Sequence, residues 1–253
     1  MNTMNTSVGI GIAAIQIFLT LTSYGNEVSP QSATPYGKFA KNTQLYKGPV
    51  ISGRYNMLLI YTPALLLNTT YLYGLTSGST FFLLTITLTL HFLKRVLETL
   101  FLHKYSTKVN PNVGAFIGVY YAVISWIILY FHKLAEIETV NVMGVSTGIL
   151  LFTVGEVGNF YHHVLLAKLR DGNKQEYNIP RGGLFSLVTC PHYLFELIAW
   201  LGIAIISQEV HCFLVLTSMT SYLTGRSVSQ TKWAQNYIND YPKEIKNIVP
   251  FIF

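Results

Sequence analysis

Residues 79–102 read STFFLLTITLTLHFLKRVLETLFL. The first half is apolar apart from threonines, and the whole stretch exceeds the ~20 residues that cross a bilayer as a helix. Yet His91, Lys94, Arg95 and Glu98 all fall inside it. Ionisable side chains are costly within a membrane segment and are expected to face a protein interior or a wet cavity. One stretch thus carries two expectations: lipid is the solvent, and a spanning helix has a charged face to hide.

The rest of the chain agrees with the first expectation. Its 253 residues are 51% hydrophobic and 11% charged, against about 25% charged in an ordinary soluble domain. Mean hydropathy is +0.39. The net charge of +6 is spread over short segments between apolar ones, with no block of like charges of the kind that marks a nucleic-acid tail. No nucleic-acid partner is expected; the partner implied is the lipid bilayer. Cys190 and Cys212 form neither a disulfide framework nor a zinc spacing. The N-terminal apolar stretch lacks a basic flank and a small-residue cleavage pattern, so it reads as a first anchor rather than a removed signal.

Seven apolar segments follow one another, at roughly 7–22, 56–75, 79–102, 113–131, 140–161, 184–207 and 210–224. Between them the charge alternates. Segment 23–55 carries Lys38, Lys41, Lys47 and Arg54 against Glu27, and 103–112 carries Lys104 and Lys108. Segment 162–183 and the tail 225–253 are also net basic, whereas the segments at 76–78, 132–139 and 208–209 are neutral or acidic. Positive loops stay on the cytoplasmic side. The expectation is an all-α, polytopic membrane protein of about seven transmembrane helices, with a lumenal N-terminus and a cytoplasmic C-terminus. With no internal repeat, residues 1–253 parse as a single membrane domain.

Polar groups then cluster towards the expected cytoplasmic ends. Lys94 and Glu98 are four apart, and Arg95 and Glu98 three apart, which allows either a helix-end ion pair or a positive lining for an anionic ligand. In Glu156-Val-Gly-Asn159-Phe-Tyr-His162-His163, Asn159 and His163 share one helical stripe that continues to Arg170. Adjacent His162 and His163 point about 100° apart on a helix, so no metal site is expected. His192, Glu196 and Trp200 form a third stripe behind Ile179-Pro-Arg-Gly-Gly-Leu-Phe185. There the glycines could bring backbone N–H groups close to a ligand, or simply punctuate a helix entry. Arg226, near Lys232 and Trp233, reads as a solvated tail or as a nucleotide-closing patch. Arg170, Arg181 and Arg226 could gather at one end of the bundle, and guanidinium forks suit phosphate. There is no soluble dinucleotide fingerprint: Gly9-Ile-Gly11 lies in the first apolar segment with no strand before it.

Several of these pieces stand together in a familiar order. Gly158-Asn159-Phe160 through Arg170, Ile179 through Phe185, Cys190-Pro-His-Tyr-Leu-Phe-Glu196 through Trp200-Leu-Gly202, Asp240-Tyr-Pro242 and Ile248-Val-Pro-Phe-Ile-Phe253 resemble the steroid 5α-reductase family, which includes the trans-2-enoyl-CoA reductases. The resemblance covers about 91–253. It implies a multi-pass endoplasmic-reticulum enzyme that takes NADPH from the cytoplasmic side and reduces a carbon–carbon double bond conjugated to a carbonyl in a small lipid substrate. It further implies that Asn159, His163, Arg170, Tyr177, Arg181, His192, Glu196 and Arg226 line the cofactor. Lys94-Arg95-x-x-Glu98 and Tyr193 match the enoyl-CoA branch, which points to Tyr193 as proton donor or carbonyl partner, supported by Lys94 and Glu98. The steroid branch holds its ketone with a Glu and a Tyr. Here Tyr61 and Phe92 stand at those places, with His91 beside them as a second candidate substrate contact. Two other readings compete: an S-adenosylmethionine-dependent membrane methyltransferase, which needs fewer arginines, and a lapsed family member that binds without chemistry.

Overall fold

The computed structural model of the chain describes residues 6–29, 31–35, 39, 48–73, 79–135, 141–169 and 178–253. Arg170 and Tyr177 lie outside these, as do Lys38, Lys41 and Lys47. Seven α-helices occur among the described residues: α1 (Ser7–Val28), α2 (Gly53–Leu72), α3 (Thr80–Leu97), α4 (Pro111–Ala135), α5 (Val142–Lys168), α6 (Pro191–Ser207) and α7 (Val210–Tyr237). Four of them (α1, α3 with its continuation to Leu102, α4 and α5) are long and apolar enough to cross a membrane. The protein is therefore an all-α, polytopic membrane protein. Phe18, Leu21, Phe116, Leu150 and Val157 point outward and exposed, as expected where lipid takes the place of water.

Local chemistry sets the helix ends. Ser79 Oγ accepts from Phe82 N at the start of α3, and Asn141 Oδ1 from Gly144 N at the start of α5. Such caps satisfy backbone donors that a helix leaves open. Pro191 occupies the first turn of α6, where a missing N–H costs nothing. Gln208, left-handed at φ 51°, stops α6, and Glu209 caps α7 by accepting from His211 N at 2.7 Å. Inside α3, the hydroxyls of Thr85, Thr87 and Thr89 donate back to carbonyls three or four residues earlier. That satisfies polar groups which a lipid-facing segment could not otherwise carry.

Two boundaries differ from the sequence reading. The sixth helix begins at Pro191 rather than 184, because 183–186 is a 3-10 turn and the strand-like residues after it pair with the tail. The last helix runs on to Tyr237, well past Arg226, since nothing in that stretch breaks a helix until Asp240-Tyr-Pro242.

Three pairings build the bundle. α1 and α7 run parallel: Gln16 meets His211, Thr20 meets Ser218, and Glu27 meets Arg226. α2 and α4 are also parallel, with Asn56 against Gly114 and Leu59 against Gly118. α5 and α6 are antiparallel and very close. A Cβ on Gly155 would lie 2.3 Å from Ala199 N, and one on Gly158 would lie 2.2 Å from the Phe195 ring. Small residues let membrane helices approach this closely. The apolar core, including Leu84, Leu88, Phe92, Ile128, Trp200 and Ile203, fills the space between α2, α3, α4 and α6. A two-residue antiparallel ladder joins Ile51–Ser52 to Lys108–Val109.

Candidate functional site

α3, α5 and α6 turn their charged residues towards one another. His91 Nδ1 lies 2.6 Å from Glu156 Oε1. Glu156 Oε2 lies 2.7 Å from Lys94 Nζ, and the same ammonium donates to Asn159 Oδ1 at 2.7 Å. Asn159 Nδ2 donates to Glu196 Oε2 at 3.0 Å and to the His192 carbonyl at 2.8 Å. Glu196 Oε1 lies 3.3 Å from His91 Nε2. The five side chains close a ring, His91–Glu156–Lys94–Asn159–Glu196, drawn from three helices. Buried charges are tolerable only when paired and fully hydrogen-bonded, and the ring meets that condition.

A second arm runs from α3 towards α2 and α5. Arg95 Nη1 lies 2.5 Å from Glu98 Oε2 and 3.0 Å from His163 Nδ1, while Arg95 Nη2 donates to the Tyr61 hydroxyl at 2.7 Å. The guanidinium also sits 4.8 Å from the Tyr61 ring centroid, a favourable cation–π distance. Glu98 begins a five-residue π-helical turn, Glu98–Leu102, closed by His103 N donating to the Glu98 carbonyl at 2.8 Å. Such turns aim side chains that a regular α-helix would send elsewhere. From this turn a run of rings leads to α6: His103 to His163 at 4.9 Å, His163 to His192 at 5.5 Å and His192 to Tyr193 at 4.3 Å.

The expected Lys94–Glu98 pair does not form. Glu98 takes Arg95, one residue along, and Lys94 crosses to α5. The two candidate supports of Tyr193 thus belong to different halves of the network. Phe92 is wholly buried and packed between Tyr121 and Trp200. Arg226 is not part of a solvated tail. It is buried, with Nη1 3.0 Å from Glu27 Oε2 and donating to the Thr34 carbonyl at 2.9 Å, and Phe39 lies under its guanidinium at 4.3 Å. Glu27 also accepts from the Thr34 hydroxyl. The arginines at 181 and 226 therefore occupy different settings: the second clamps α7 to α1 and the segment after it.

Arg181 is exposed on the loop before α6. It lines a cleft of about 380 Å³ with Ile179, Pro180, Phe185, Pro242 and Ile245. Gly182 at φ 91° and Gly183 at φ 53° make the turn possible, since other residues pay for that backbone region. The Leu184 N–H is used within the protein, donating to His162 Nε2 at 3.1 Å, while His162 Nδ1 lies 2.6 Å from the Gly158 carbonyl. His162 thus pins the loop to α5. The tail completes the arrangement: Thr189 N donates to the Lys246 carbonyl at 2.8 Å, Cys190 N to the Asn247 carbonyl at 3.0 Å, and Lys246 N to the Leu187 carbonyl at 3.0 Å.

Glu156, His103 and His162 belong to the site although the residue patterns assigned them no role in it. Glu156 carried a usable signal, a lone carboxylate inside a spanning segment. Glu98, His103 and His163 place possible metal ligands within 4.8 Å of one another. Arg95 already brings positive charge to two of those three ligands, which works against a cation there.

Together, the helical bundle and the largely buried ionic ring drawn from α3, α5 and α6 define a membrane protein with a polar site among its helices. The profile of the 3-oxo-5-alpha-steroid 4-dehydrogenase family matches residues 108–253, and the chain belongs to that family. It is 30% identical over 165 residues to the very-long-chain enoyl-CoA reductase of Dictyostelium discoideum, covering 64% of this chain and 55% of that protein. It is 35% identical over 106 residues to 3-oxo-5-alpha-steroid 4-dehydrogenase 1 of Rattus norvegicus, covering 42% and 41%. It is 35% identical over 107 residues to steroid 5-alpha-reductase DET2 of Gossypium hirsutum, covering 42% of each. The chain spans about half the length of the curated relatives it matches.

Proposed function

We propose that this protein is an NADPH-dependent reductase of a lipid whose carbon–carbon double bond is conjugated to a carbonyl, either a 3-oxo-Δ4-steroid or a trans-2-enoyl thioester. It is placed in the endoplasmic-reticulum membrane. The observation that carries this reading is the closed, largely buried ring of His91, Glu156, Lys94, Asn159 and Glu196, drawn from three helices, in a chain of this family. The residues fit a long anionic cofactor. Arg181 stands on an open cleft, and beside His91 the Trp200 indole N–H is buried with no hydrogen-bond partner among the described residues, a donor available to a bound polar group.

When bound, the nicotinamide cofactor supplies a hydride. The protein must do the rest: exclude water, polarise the carbonyl as negative charge grows, and deliver a proton. Tyr193 is placed as carbonyl partner or proton donor. Lys94, held by Glu156 and Asn159, puts positive charge where an enolate would gain it. Arg181 is assigned to the phosphates, with Arg170 and Tyr177 as further cofactor contacts. Arg226 is assigned to the cofactor as well, held in place by Glu27 and the Thr34 carbonyl.

Seven spans are the reading that the pairing directions support, and a cytoplasmic C-terminus is the reading that the basic loops support. Helices that are both odd-numbered (α1 with α7) or both even-numbered (α2 with α4) lie parallel, and neighbours α5 and α6 lie antiparallel. These directions are the ones that helices reversing in turn would have. A reporter fused after Phe253 and found in the lumen would overturn that orientation.

Fluorescence titration of the purified protein with NADPH tests the cofactor reading, with S-adenosylmethionine as the competing ligand. Saturable quenching by NADPH alone is expected. Incubation with NADPH and either a 4-en-3-one sterol or a trans-2-enoyl thioester then distinguishes the substrates by which one is saturated.

A further inference from the structure

His91 is the one histidine among the described residues whose two ring nitrogens both face carboxylates. Nδ1 lies 2.6 Å from Glu156 Oε1 and Nε2 lies 3.3 Å from Glu196 Oε1. A neutral imidazole carries one N–H and one bare lone pair. In that state, one of the two contacts would set a lone pair against a carboxylate oxygen inside a packed core. With both nitrogens protonated, the Glu156 contact is a charge-assisted hydrogen bond and the Glu196 contact an ion pair, and the ring balances: His91 and Lys94 positive, Glu156 and Glu196 negative. The remaining faces of the imidazole meet aromatic rings, Phe92 at 5.0 Å and Trp200 at 5.3 Å.

We propose that His91 is held as an imidazolium between α5 and α6 and is the resident proton store of the site. This deepens the reductase reading, because reduction of an enone consumes one proton from the protein for each hydride received. The balance is simple. Lys94 gives an ammonium proton to the reduced substrate, or to the Tyr193 phenolate where that phenol has given its own, and becomes an amine. His91 breaks its Nδ1–H bond, Glu156 forms an O–H bond, and the Glu156 proton passes to the Lys94 amine. His91 is left neutral, and Lys94 and Glu156 return to their starting charges. Water refills the store through Lys94, whose side chain is 18% exposed while that of His91 is 2% exposed. His91 acts here through Lys94 and is a positioning and proton-holding residue.

The charge state can be read without nucleotide or substrate. Protein labelled with ¹⁵N-histidine and ¹³C-glutamate, in lipid nanodiscs at neutral pH, is examined by solid-state NMR. One of the seven histidines is expected to show two protonated ring nitrogens, each dipolar-coupled to a glutamate carboxylate carbon. His91→Gln removes that signal. If this variant does not fold, the double coupling assigns the signal in the wild type, since His163 and His103 both face the single carboxylate of Glu98. A His91 with one bare nitrogen overturns the proposal and leaves the reductase reading standing. A confirmed imidazolium in a protein that does not bind NADPH overturns the reductase reading instead.

Discussion

Lys94 reaches across to Glu156 on another helix, 2.7 Å from Nζ to Oε2, and leaves Glu98, one turn along its own helix, to Arg95. A double-mutant cycle between Lys94→Met and Glu156→Gln should therefore show a coupling of about 0.5–3 kcal/mol in thermal unfolding in detergent, while Lys94 with Glu98 should be additive to within about 0.5 kcal/mol. In the reductase assay, Lys94→Met should lower kcat/KM by about 100-fold or more, the lower range for losing a positioned proton donor. Strong Lys94–Glu98 coupling would reject the cross-helix arrangement.

The Glu27–Arg226 pair is buried on both sides. Removing either partner alone, as in Glu27→Ala or Arg226→Met, should cost about 3–5 kcal/mol, because the survivor is left charged in the core. Both single variants should unfold at similarly lowered temperatures. If Arg226 also served cofactor phosphate, Arg226→Met would weaken NADPH binding in titration while Glu27→Ala left it intact.

The α5–α6 seam has no room for a methyl group. Gly155→Ala would press its Cβ against the backbone of Ala199, costing about 1–3 kcal/mol as the helices part. That movement should also draw Asn159 from Glu196 and the His192 carbonyl, so activity should fall further than stability alone predicts. Gly11→Ala, where nothing lies within 4 Å, is the control and should behave as wild type in both measurements.

Burial pushes the Tyr241 phenol above its usual value near 10, opposed by the hydrogen bond to Thr189. The hydroxyl oxygens lie 2.8 Å apart. A raised value in the folded state means that the stabilisation is complete below the free-tyrosine value. It is lost as pH rises from there through the folded value, because the unfolded chain releases its proton first. Thermal unfolding followed from pH 8 to pH 11 should show the wild type losing more stability than Tyr241→Phe over the alkaline limb. Parallel curves would remove Tyr241 from that account.

Much of this was legible in the residues. Apolar runs located all seven helices, and charged residues inside those runs marked the helices that meet. What local spacing could not show is which charge finds which partner. Lys94 and Arg95 are neighbours, and both can reach Glu98 along the helix; only the crossing of α3 with α5 sends one to Glu156. The same holds for Arg226, whose partner Glu27 lies 199 residues away. The start of α6 was misplaced for a related reason: residues 187–190 are apolar enough to read as helix, but their hydrogen bonds go to the tail.

That pairing of the tail with the entry to α6 has a consequence for biosynthesis. Chains fold from the N-terminus as they are made, and every helix that supplies a residue to the ionic ring leaves the ribosome before Lys246 and Asn247. Insertion into the bilayer can thus be complete while the loop bearing Arg181 still lacks the backbone partners that fix its far end. The nascent chain passes through a stage in which it is threaded but unfinished, and a ribosome that stalls just before Lys246 would leave an inserted protein whose Arg181 loop is unanchored.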